Sequence, residues 1–385
     1  MMFKSTQRLR FQAFFFTILM ILLVHAYISY RRLYVLDSFN RWESLQAHQN
    51  DKTRLSSNDS DYKRENATFV SLARNSDIYS IAQSIQDVES RFNNKYHYDW
   101  VFFNDEPFSP EFIDYTSHLV SGRAFYETVP KEFWSYPKHI NQTKAAEQRD
   151  AMVQKKIIYA DSESYRHMCR FESGFFWQMP IMDNYRYYWR VEPDIHIYCD
   201  IEEDLFKVMA ENQYKYGFTI AMYEFFETIP TLWTATMDFV KANPKYVHEN
   251  NLLDFISDDH GKSYNLCHFW SNFEIADLDF WRSPEYREYF DHLDKQGGFF
   301  YERWGDAPVH SLAAALFLNR TEVKYFGQVG YSHPPYTNCP TDRSFHNSHR
   351  CTCNPGNSFT FEGYSCASKY FKVQGIDGNS YDSYL

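Results

Sequence analysis

The chain has 385 residues, of which 44 % are apolar and 19 % aromatic, enough to fill one large or two ordinary domains. Fifty acidic residues against 39 Lys and Arg give a formal net charge of −11. This acidic balance, with no basic run, excludes a general nucleic-acid binder.

The N-terminal region predicts a membrane anchor. Residues 11–30 form an apolar run without Asp, Glu, Lys or Arg, about as long as a helix that crosses a bilayer. A cleaved signal peptide is the alternative, but the run is long and no A-x-A-like cleavage site follows it. We therefore predict a cytosolic tail at 1–10, a transmembrane signal-anchor at 11–30, a polar stem at 31–64 and one folded domain at 65–385.

Sequons and cysteines indicate that this folded domain lies in the secretory pathway. The chain has four Asn-X-Ser/Thr sequons, at Asn58, Asn66, Asn141 and Asn319. Four of its seven cysteines lie in the last fifty residues, and Cys351-Thr352-Cys353 is too tight for the usual zinc-ligand spacing. We expect disulfides, in a connectivity that the sequence does not define, with at least one thiol left unpaired.

The folded domain begins with a βαβ pattern. Thr68–Ala73 predicts a strand that ends next to Arg74, apolar residues from Ile78 to Phe92 recur at helical spacing, and Trp100–Phe103 predicts a second strand. No Gly-rich fingerprint follows the first strand, which argues against a dinucleotide site or a P-loop. An α/β domain is therefore expected.

Further elements follow in chain order. Helices are predicted at 143–153, 231–240 and 306–318, strands at 157–159, 218–222 and 323–326, and a rigid loop at 330–336.

The run from Tyr187 to Val191 predicts a buried strand that Pro193 ends. Glu192 and Asp194 flank this proline and should lie at the carboxyl end of the strand, where open α/β sheets place their ligands. Two carboxylates there can hold a divalent cation bound to phosphates. The alternative is an ordinary polar exit from a strand.

Two further groups are unusual for their surroundings. Glu274 lies in an apolar stretch, so its carboxylate should be paired or have a raised pKa, and His333 lies between Ser332 and Pro334. Anchor, lumenal α/β domain and acidic pair together suggest a metal-dependent transferase that acts on a phosphate-linked donor.

Five long motifs then identify a family. They are YYWRVEPD at Tyr187, SESYRHMCR at Ser162, SNFEIAD at Ser271, RWGDAPVHS at Arg303 and GYSHPPYTNCP at Gly330.

The chain from about residue 65 onwards resembles the fungal type II α-1,2-mannosyltransferases of glycosyltransferase family 15. The resemblance implies a GT-A-like single catalytic domain with a mixed sheet flanked by helices, held in the Golgi membrane with the domain in the lumen. It also implies retaining transfer of mannose from GDP-mannose to a mannose-terminated N-linked or O-linked glycan. Glu172 is a departure, since relatives usually have another polar or an aromatic residue there, and it could tune the acceptor.

The resemblance further implies a Mn²⁺ site formed by Glu192, with His333 as second ligand; the alternative for His333 is a packed loop histidine. Asp194 would bind the metal through water or bind the donor. Arg74 is a candidate for the GDP pocket. Tyr165 would lie near the donor and the reacting centre.

Two acids remain for the chemistry. Glu274 matches the family's candidate nucleophile for a double displacement; in a front-face attack it would only stabilise the oxocarbenium-like centre. Asp306 would bind or deprotonate the acceptor hydroxyl, or else be a plain helix N-cap. Competing functions are another linkage or donor, and a silent mannan-binding membrane protein, against which intact Glu192, Glu274 and His333 argue.

Overall fold

The structure is a computed structural model that describes residues 20, 22–27 and 62–376. Residues 20 and 22–27 are helical, and among the described residues no helix is long and apolar enough to span a membrane. The predicted tail and most of the predicted anchor and stem lie outside the described residues. Residues 62–376 belong to one compact unit, which is described by itself.

Twelve β-strands lie in the described part of the chain. They are β1 Ala67–Leu72, β2 Asp99–Asn104, β3 Ala124–Thr128, β4 Tyr187–Val191, β5 His196–Ile197, β6 Tyr216–Phe218, β7 Ala221–Tyr223, β8 Cys267–Phe269, β9 Phe273–Asp277, β10 Val323–Tyr325, β11 Tyr331–His333 and β12 Tyr336–Asn338.

Thirteen α-helices accompany them in residues 62–376. They are α1 Ile78–Arg91, α2 Pro110–Ser117, α3 Gln142–Gln154, α4 Glu163–Gly174, α5 Leu205–Glu211, α6 Leu232–Ala242, α7 Leu253–Ile256, α8 Leu278–Trp281, α9 Pro284–Gln296, α10 Gly298–Tyr301, α11 Asp306–Phe317, α12 Arg343–Ser348 and α13 Ala367–Val373.

Seven strands form the main sheet, in the order β10-β6-β9-β4-β1-β2-β3. The strands β4, β1, β2 and β3 run parallel, whereas β9 is antiparallel to both β4 and β6. Side chains alternate between two buried clusters, so that Tyr188 of β4 packs on one face and Trp189 on the other. A sheet covered on both faces needs strands that are largely apolar, as the run from Tyr187 to Val191 is apart from Arg190. The predicted α/β class and mixed sheet are confirmed.

The predicted βαβ opening is also confirmed, since β1 and β2 are parallel neighbours joined through α1. The helices predicted at 143–153, 231–240 and 306–318 are α3, α6 and α11, with ends that differ by one or two residues.

Three local predictions were wrong. Residues 157–159 form no strand but a turn in which Ile158 and Tyr159 are exposed, because tertiary packing leaves that apolar segment uncovered. The strand predicted at 218–222 is divided into β6 and β7, which belong to different sheets. The loop predicted at 330–336 is the hairpin of β11 and β12, which pairs with β5 in a three-stranded sheet.

The cysteines form three disulfides, as predicted, and leave one buried free thiol. The pairs are Cys199–Cys351, Cys267–Cys366 and Cys339–Cys353, and the free residue is Cys169. Because the sulfurs of Cys339 and Cys353 bind each other, the nearby His346 has no thiolate partner for a zinc site.

Candidate active site

Three parallel strands of the main sheet end at one polar crevice of about 170 Å³. β1 ends just before Arg74, β2 ends at Asn104, and β4 ends just before Glu192. The polar lining residues are Arg74, Asp77, Asn104, Asp105, Arg190 and Glu192. The carboxyl ends of parallel strands are the usual place for a ligand in such sheets. The predicted position of Glu192 in a crevice at the strand end is confirmed, whereas Asp194 is not among the lining residues.

A larger cleft of about 640 Å³ opens at the amino ends of the same strands. Its Asp99 already binds Arg123 at 2.5 Å and the hydroxyl of Tyr185 at 2.9 Å. Its buried charges are therefore satisfied within the protein, and we place the chemistry in the smaller crevice, where the acids are gathered.

Glu192 faces His333, with 3.5 Å between the carboxylate Oε2 and the imidazole Nε2. Each side chain is about one quarter exposed, 25 % and 27 %. His333 Nδ1 lies 3.1 Å from the carbonyl oxygen of Pro334. With a cation bound, the neutral ring could donate from Nδ1 to that carbonyl and would present the lone pair of Nε2 to the metal. A carboxylate and an imidazole that face each other fit a divalent cation such as Mn²⁺.

The electrostatics keep Glu192 ready for a cation. Burial by itself raises the pKa of Glu192, but Arg190 and His333 outweigh it and hold that pKa at about 2. The carboxylate is therefore ionised at any physiological pH.

The hairpin of β11 and β12 brings His333 to the strand end. It begins after Gly330, whose φ of +62° suits glycine and whose missing Cβ would lie 2.5 Å from Cys199 Sγ. Any larger residue there would push the hairpin away from the disulfide, and His333 with it. Asp194, in contrast, is exposed, with a φ of +64°, and its position relative to a cation stays a prediction.

Arg190 is the centre of the site, although no sequence argument singled it out. Its guanidinium donates to Glu192 Oε1 and to Asp306 Oδ2, each at 2.5 Å, and lies 3.9 Å from Glu172. The side chain is 7 % exposed. One buried cation thus connects the acid of the predicted metal site with the acid of the predicted acceptor site.

The three acids around Arg190 differ in their pKa values. Burial raises the pKa of Glu172 to about 7, despite the attraction of Arg190. Burial by itself would raise the pKa of Asp306 as well. Arg190, His310 and Ser271 outweigh burial, so the pKa of Asp306 is lowered. The guanidinium stays charged because its acidic neighbours outweigh its desolvation and raise its pKa.

Asp306 is not a helix N-cap, which removes the alternative considered for it. The N-cap of α11 is Gly305, and the Asp306 carboxylate accepts from Arg190 and, at 2.7 Å, from Ser271. It is 5 % exposed. A carboxylate with a lowered pKa is a weak base, so the geometry favours binding over deprotonation of a hydroxyl.

Glu274, the candidate nucleophile, lies in the protein interior, as its apolar sequence surroundings indicated. It is fully buried on β9, where it accepts from the hydroxyl of Tyr188 and binds His310 Nδ1 at 2.8 Å. Burial lowers the pKa of His310, but Glu274 outweighs it and raises that pKa, so the two form a buried ion pair. The expected pairing of Glu274 is confirmed, with His310 as its partner.

Arg74 lines the crevice, and Tyr165 lies on α4 next to the residue that Arg74 binds. Arg74 Nη2 binds Ser164 Oγ at 3.0 Å, next to Tyr165 in the first turn of α4. The Tyr165 ring lies under the guanidinium of Arg303, 5.1 Å from it, and burial raises the pKa of its hydroxyl well above the ordinary value. Tyr165 therefore remains protonated, as a hydrogen-bond donor must.

The structure gathers most predicted residues but adds several that sequence reasoning missed. The additional residues are Tyr188, Arg190, Ser271 and His310. Glu172, which the sequence singled out as a residue that could tune the acceptor, lies 3.9 Å from Arg190. Arg190 had a visible signal, since it is the one charged residue in an otherwise apolar strand. His310 follows Asp306 by one helical turn, a spacing that places both on one side of α11.

Comparison with protein families places these features in context. The family model described as "Glycolipid 2-alpha-mannosyltransferase" matches residues 32–375. The chain is 61 % identical over 310 residues to "Glycolipid 2-alpha-mannosyltransferase 2" of Candida albicans, covering 80 % of this chain and 67 % of that protein. It is 59 % identical to "Alpha-1,2 mannosyltransferase KTR1" of Saccharomyces cerevisiae, covering 80 % and 79 %.

Two crystal structures resemble the fold. Core-mannan synthase A of Aspergillus fumigatus, in a Mn/GDP form, is 41 % identical with a TM-score of 0.78, covering 83 % of this chain and 88 % of that one. The mannosyltransferase Ktr4p of S. cerevisiae, in complex with GDP, is 34 % identical with a TM-score of 0.77, covering 88 % and 93 %.

Proposed function

Since the chain belongs to the glycolipid 2-alpha-mannosyltransferase family, we propose that its crevice transfers mannose from GDP-mannose to a terminal mannose of glycoprotein glycans. The enzyme is a GDP-mannose-dependent α-1,2-mannosyltransferase with Mn²⁺ as cofactor. The observation that carries the site assignment is the Glu192–His333 pair at the end of β4. The mixed α/β fold agrees with that of the Mn/GDP-form relative.

Glu192 and His333 are the residues that would hold the cation. When bound, Mn²⁺ neutralises negative charge on the departing diphosphate. Arg74, at the end of β1, supplies a further positive charge along the crevice, and Asp194 is placed at the turn beside Glu192 to bind the donor or a metal-bound water.

Transfer exchanges one bond for another at the anomeric carbon. The acceptor hydroxyl oxygen forms a bond to C1 of mannose while the bond from C1 to the β-phosphate oxygen breaks, and GDP leaves. GDP-mannose and the product both have α-linkages, so the configuration is retained. Tyr165 donates a hydrogen bond near the reacting centre, and Asp306 orients the acceptor.

We favour a front-face attack over a double displacement through Glu274. In the front-face route the acceptor proton passes to the departing phosphate oxygen, and Glu274 supports the positive charge that develops at C1. The burial of Glu274, together with its bonds to Tyr188 and His310, supports this role, because a covalent sugar ester would require open space at that carboxylate.

The function is tested with the detergent-solubilised full chain. We expect release of GDP from GDP-mannose only when Mn²⁺ and a mannoside acceptor are both present, and an α-1,2 linkage in the product. A panel of other nucleotide sugars serves as control. Release from another donor, or a different linkage, would contradict the assignment, and absence of both transfer and donor hydrolysis would favour a silent mannan-binding protein.

Glu274→Gln should lower kcat about a hundredfold while changing the Kd for GDP less than about threefold, because the lost charge acts only on the transition state. Tyr188→Phe, which keeps the charge but removes one hydrogen bond, should lower kcat less. Intact-mass spectrometry during turnover should detect no mannosyl adduct. An adduct located on Glu274 would overturn the front-face route, and loss of GDP binding would make Glu274 structural.

We also propose that the protein is a single-pass type II protein of the Golgi membrane, anchored by residues 11–30 with a stem at 31–64. The apolar run and the sequons support this proposal. In sealed Golgi vesicles, an N-terminal epitope tag should be digested by added protease and a C-terminal tag should be protected. The reverse result, or a tagged chain that stays with a different compartment, would contradict the topology or the location.

A further inference from the structure

Two adjacent phenylalanines stand exposed beside the site. Phe225 is 53 % and Phe226 57 % exposed, in the segment that follows β7. Single exposed apolar residues need no explanation, but two neighbouring aromatic rings on a rigid turn are a candidate contact surface.

The turn that presents these rings is fixed by hydrogen bonds. The amide of Phe225 donates to Glu224 Oε1 at 2.8 Å, and Thr228 Oγ1 donates to the Phe225 carbonyl at 2.7 Å. Phe226 begins a 3₁₀ turn that ends at Thr228. These hydrogen bonds hold the backbone of the turn in place, so both rings remain exposed to solvent.

Glu224 connects this turn to the acceptor side of the site. Its Oε1 lies 3.9 Å from Arg303 Nη2, and the same guanidinium covers the ring of Tyr165 at 5.1 Å. Its Oε2 is 4.0 Å from the place that a Cβ on Gly305 would take, one residue before Asp306. Phe225 therefore directly follows a residue whose side chain lies near Arg303, which covers Tyr165, and near Gly305, which precedes Asp306.

A third aromatic ring adjoins this turn. The ring of Tyr364 lies 6.2 Å from that of Phe225, and its carbonyl accepts from the amide of Tyr223 at 3.4 Å. We call the rings of Phe225, Phe226 and Tyr364 the aromatic platform. Glu224 connects it to Arg303 and to Gly305, the residue before Asp306.

We propose that the aromatic platform binds the sugar residues that precede the accepting mannose in an α-linked mannose chain. The apolar C–H face of a pyranose packs on an aromatic ring, and neither ring of the pair brings a charge that would need to be desolvated. Continuity with the acceptor side of the crevice selects this occupant. The inference rests on the proposed function, and it predicts that the enzyme prefers acceptors of more than one mannose.

The test compares acceptors of different length with the double variant F225A/F226A. For α-1,2-mannotriose we expect KM to rise about tenfold, in line with the loss of two ring contacts. For methyl α-mannoside, which has no preceding sugar, KM should change less than about twofold. F225Y/F226Y keeps both rings and should behave as the wild type does.

Phe361→Ala is the matched control, because Phe361 is 51 % exposed and packs near Phe371, 6.4 Å away between ring centres. It should leave KM unchanged for both acceptors. Thermal unfolding of each variant confirms that it is folded.

Equal changes of KM for methyl α-mannoside and mannotriose, or no change for either, would overturn the platform. Failure of the proposed function has a different signature, since the wild type would then release no GDP with any mannoside. In that case, titration of the wild type and of F225A/F226A with mannotriose measures its Kd directly. The aromatic platform requires the variant to bind mannotriose more weakly, and an equal Kd would overturn it.

Discussion

Replacing Glu192 with glutamine should abolish Mn²⁺-dependent transfer, with a fall in kcat/KM of about a thousandfold or more. The neutral amide keeps the size of the side chain but removes the charge that faces His333 across 3.5 Å. A pKa of about 2 means that the wild-type carboxylate is fully ionised, so glutamine changes its charge at every working pH.

Isothermal titration of Mn²⁺ in the presence of GDP measures the effect directly. We expect Glu192→Gln to weaken Mn²⁺ binding strongly and His333→Ala to weaken it to a smaller extent, since imidazole brings no charge. Asp194→Asn is the comparison, because Asp194 is exposed and lies two residues along the same turn. Full activity of Glu192→Gln, or an equal loss on Asp194→Asn alone, would show that the metal has other ligands.

Replacing Arg190 with methionine should cost both stability and activity. Methionine is similar in length but leaves Glu172, Glu192 and Asp306 close together without their shared cation. Removal of one partner from a buried ion pair typically costs about 3–5 kcal/mol of unfolding free energy. Since Glu192 and Asp306 are both oriented by this guanidinium, kcat should fall together with Mn²⁺ affinity.

Arg190→Lys separates charge from geometry. Lysine restores a positive charge but lacks the planar fork that reaches two carboxylates at once, so we expect stability to recover more than kcat does. Addition of Glu172→Gln to Arg190→Met should change stability little further, because burial already raises the pKa of Glu172 to about 7 in the presence of Arg190, and loss of that cation leaves the carboxyl neutral. Urea unfolding followed by tryptophan fluorescence measures both changes.

Arg170→Met is the matched control for this series. Arg170 is also buried and binds Asp294 through two nitrogens, at 2.6 and 2.9 Å, away from the crevice. It should lower stability in the same range while Mn²⁺ binding by the folded protein remains. If Arg190→Met lost stability alone and kept its Mn²⁺ affinity and kcat, Arg190 would be only structural.

Local sequence signals located the strand end well. The apolar run from Tyr187 to Val191 and the proline that follows it act through nearest neighbours, so burial and termination of β4 could be predicted. The helix of residues 78–91 could also be predicted, because its apolar positions recur with the period of a helical turn. The strand predicted at 157–159 was wrong for a related reason. Neighbours in the chain do not determine whether an apolar segment will be buried by the rest of the protein, and here Ile158 and Tyr159 stay exposed.

Local patterns and long motifs were sufficient to predict the α/β class, the acidic strand end, the disulfides and the family. The partners of the site residues became visible only in the folded chain: Arg190 joins Glu192 to Asp306, Glu274 is enclosed by Tyr188 and His310, and Asp306 caps no helix. The reason is physical. Strand propensity and helix period depend on neighbours in the chain, whereas an ion pair depends on distance in space, and Arg190 and Asp306 lie 116 residues apart in sequence but 2.5 Å apart in the fold.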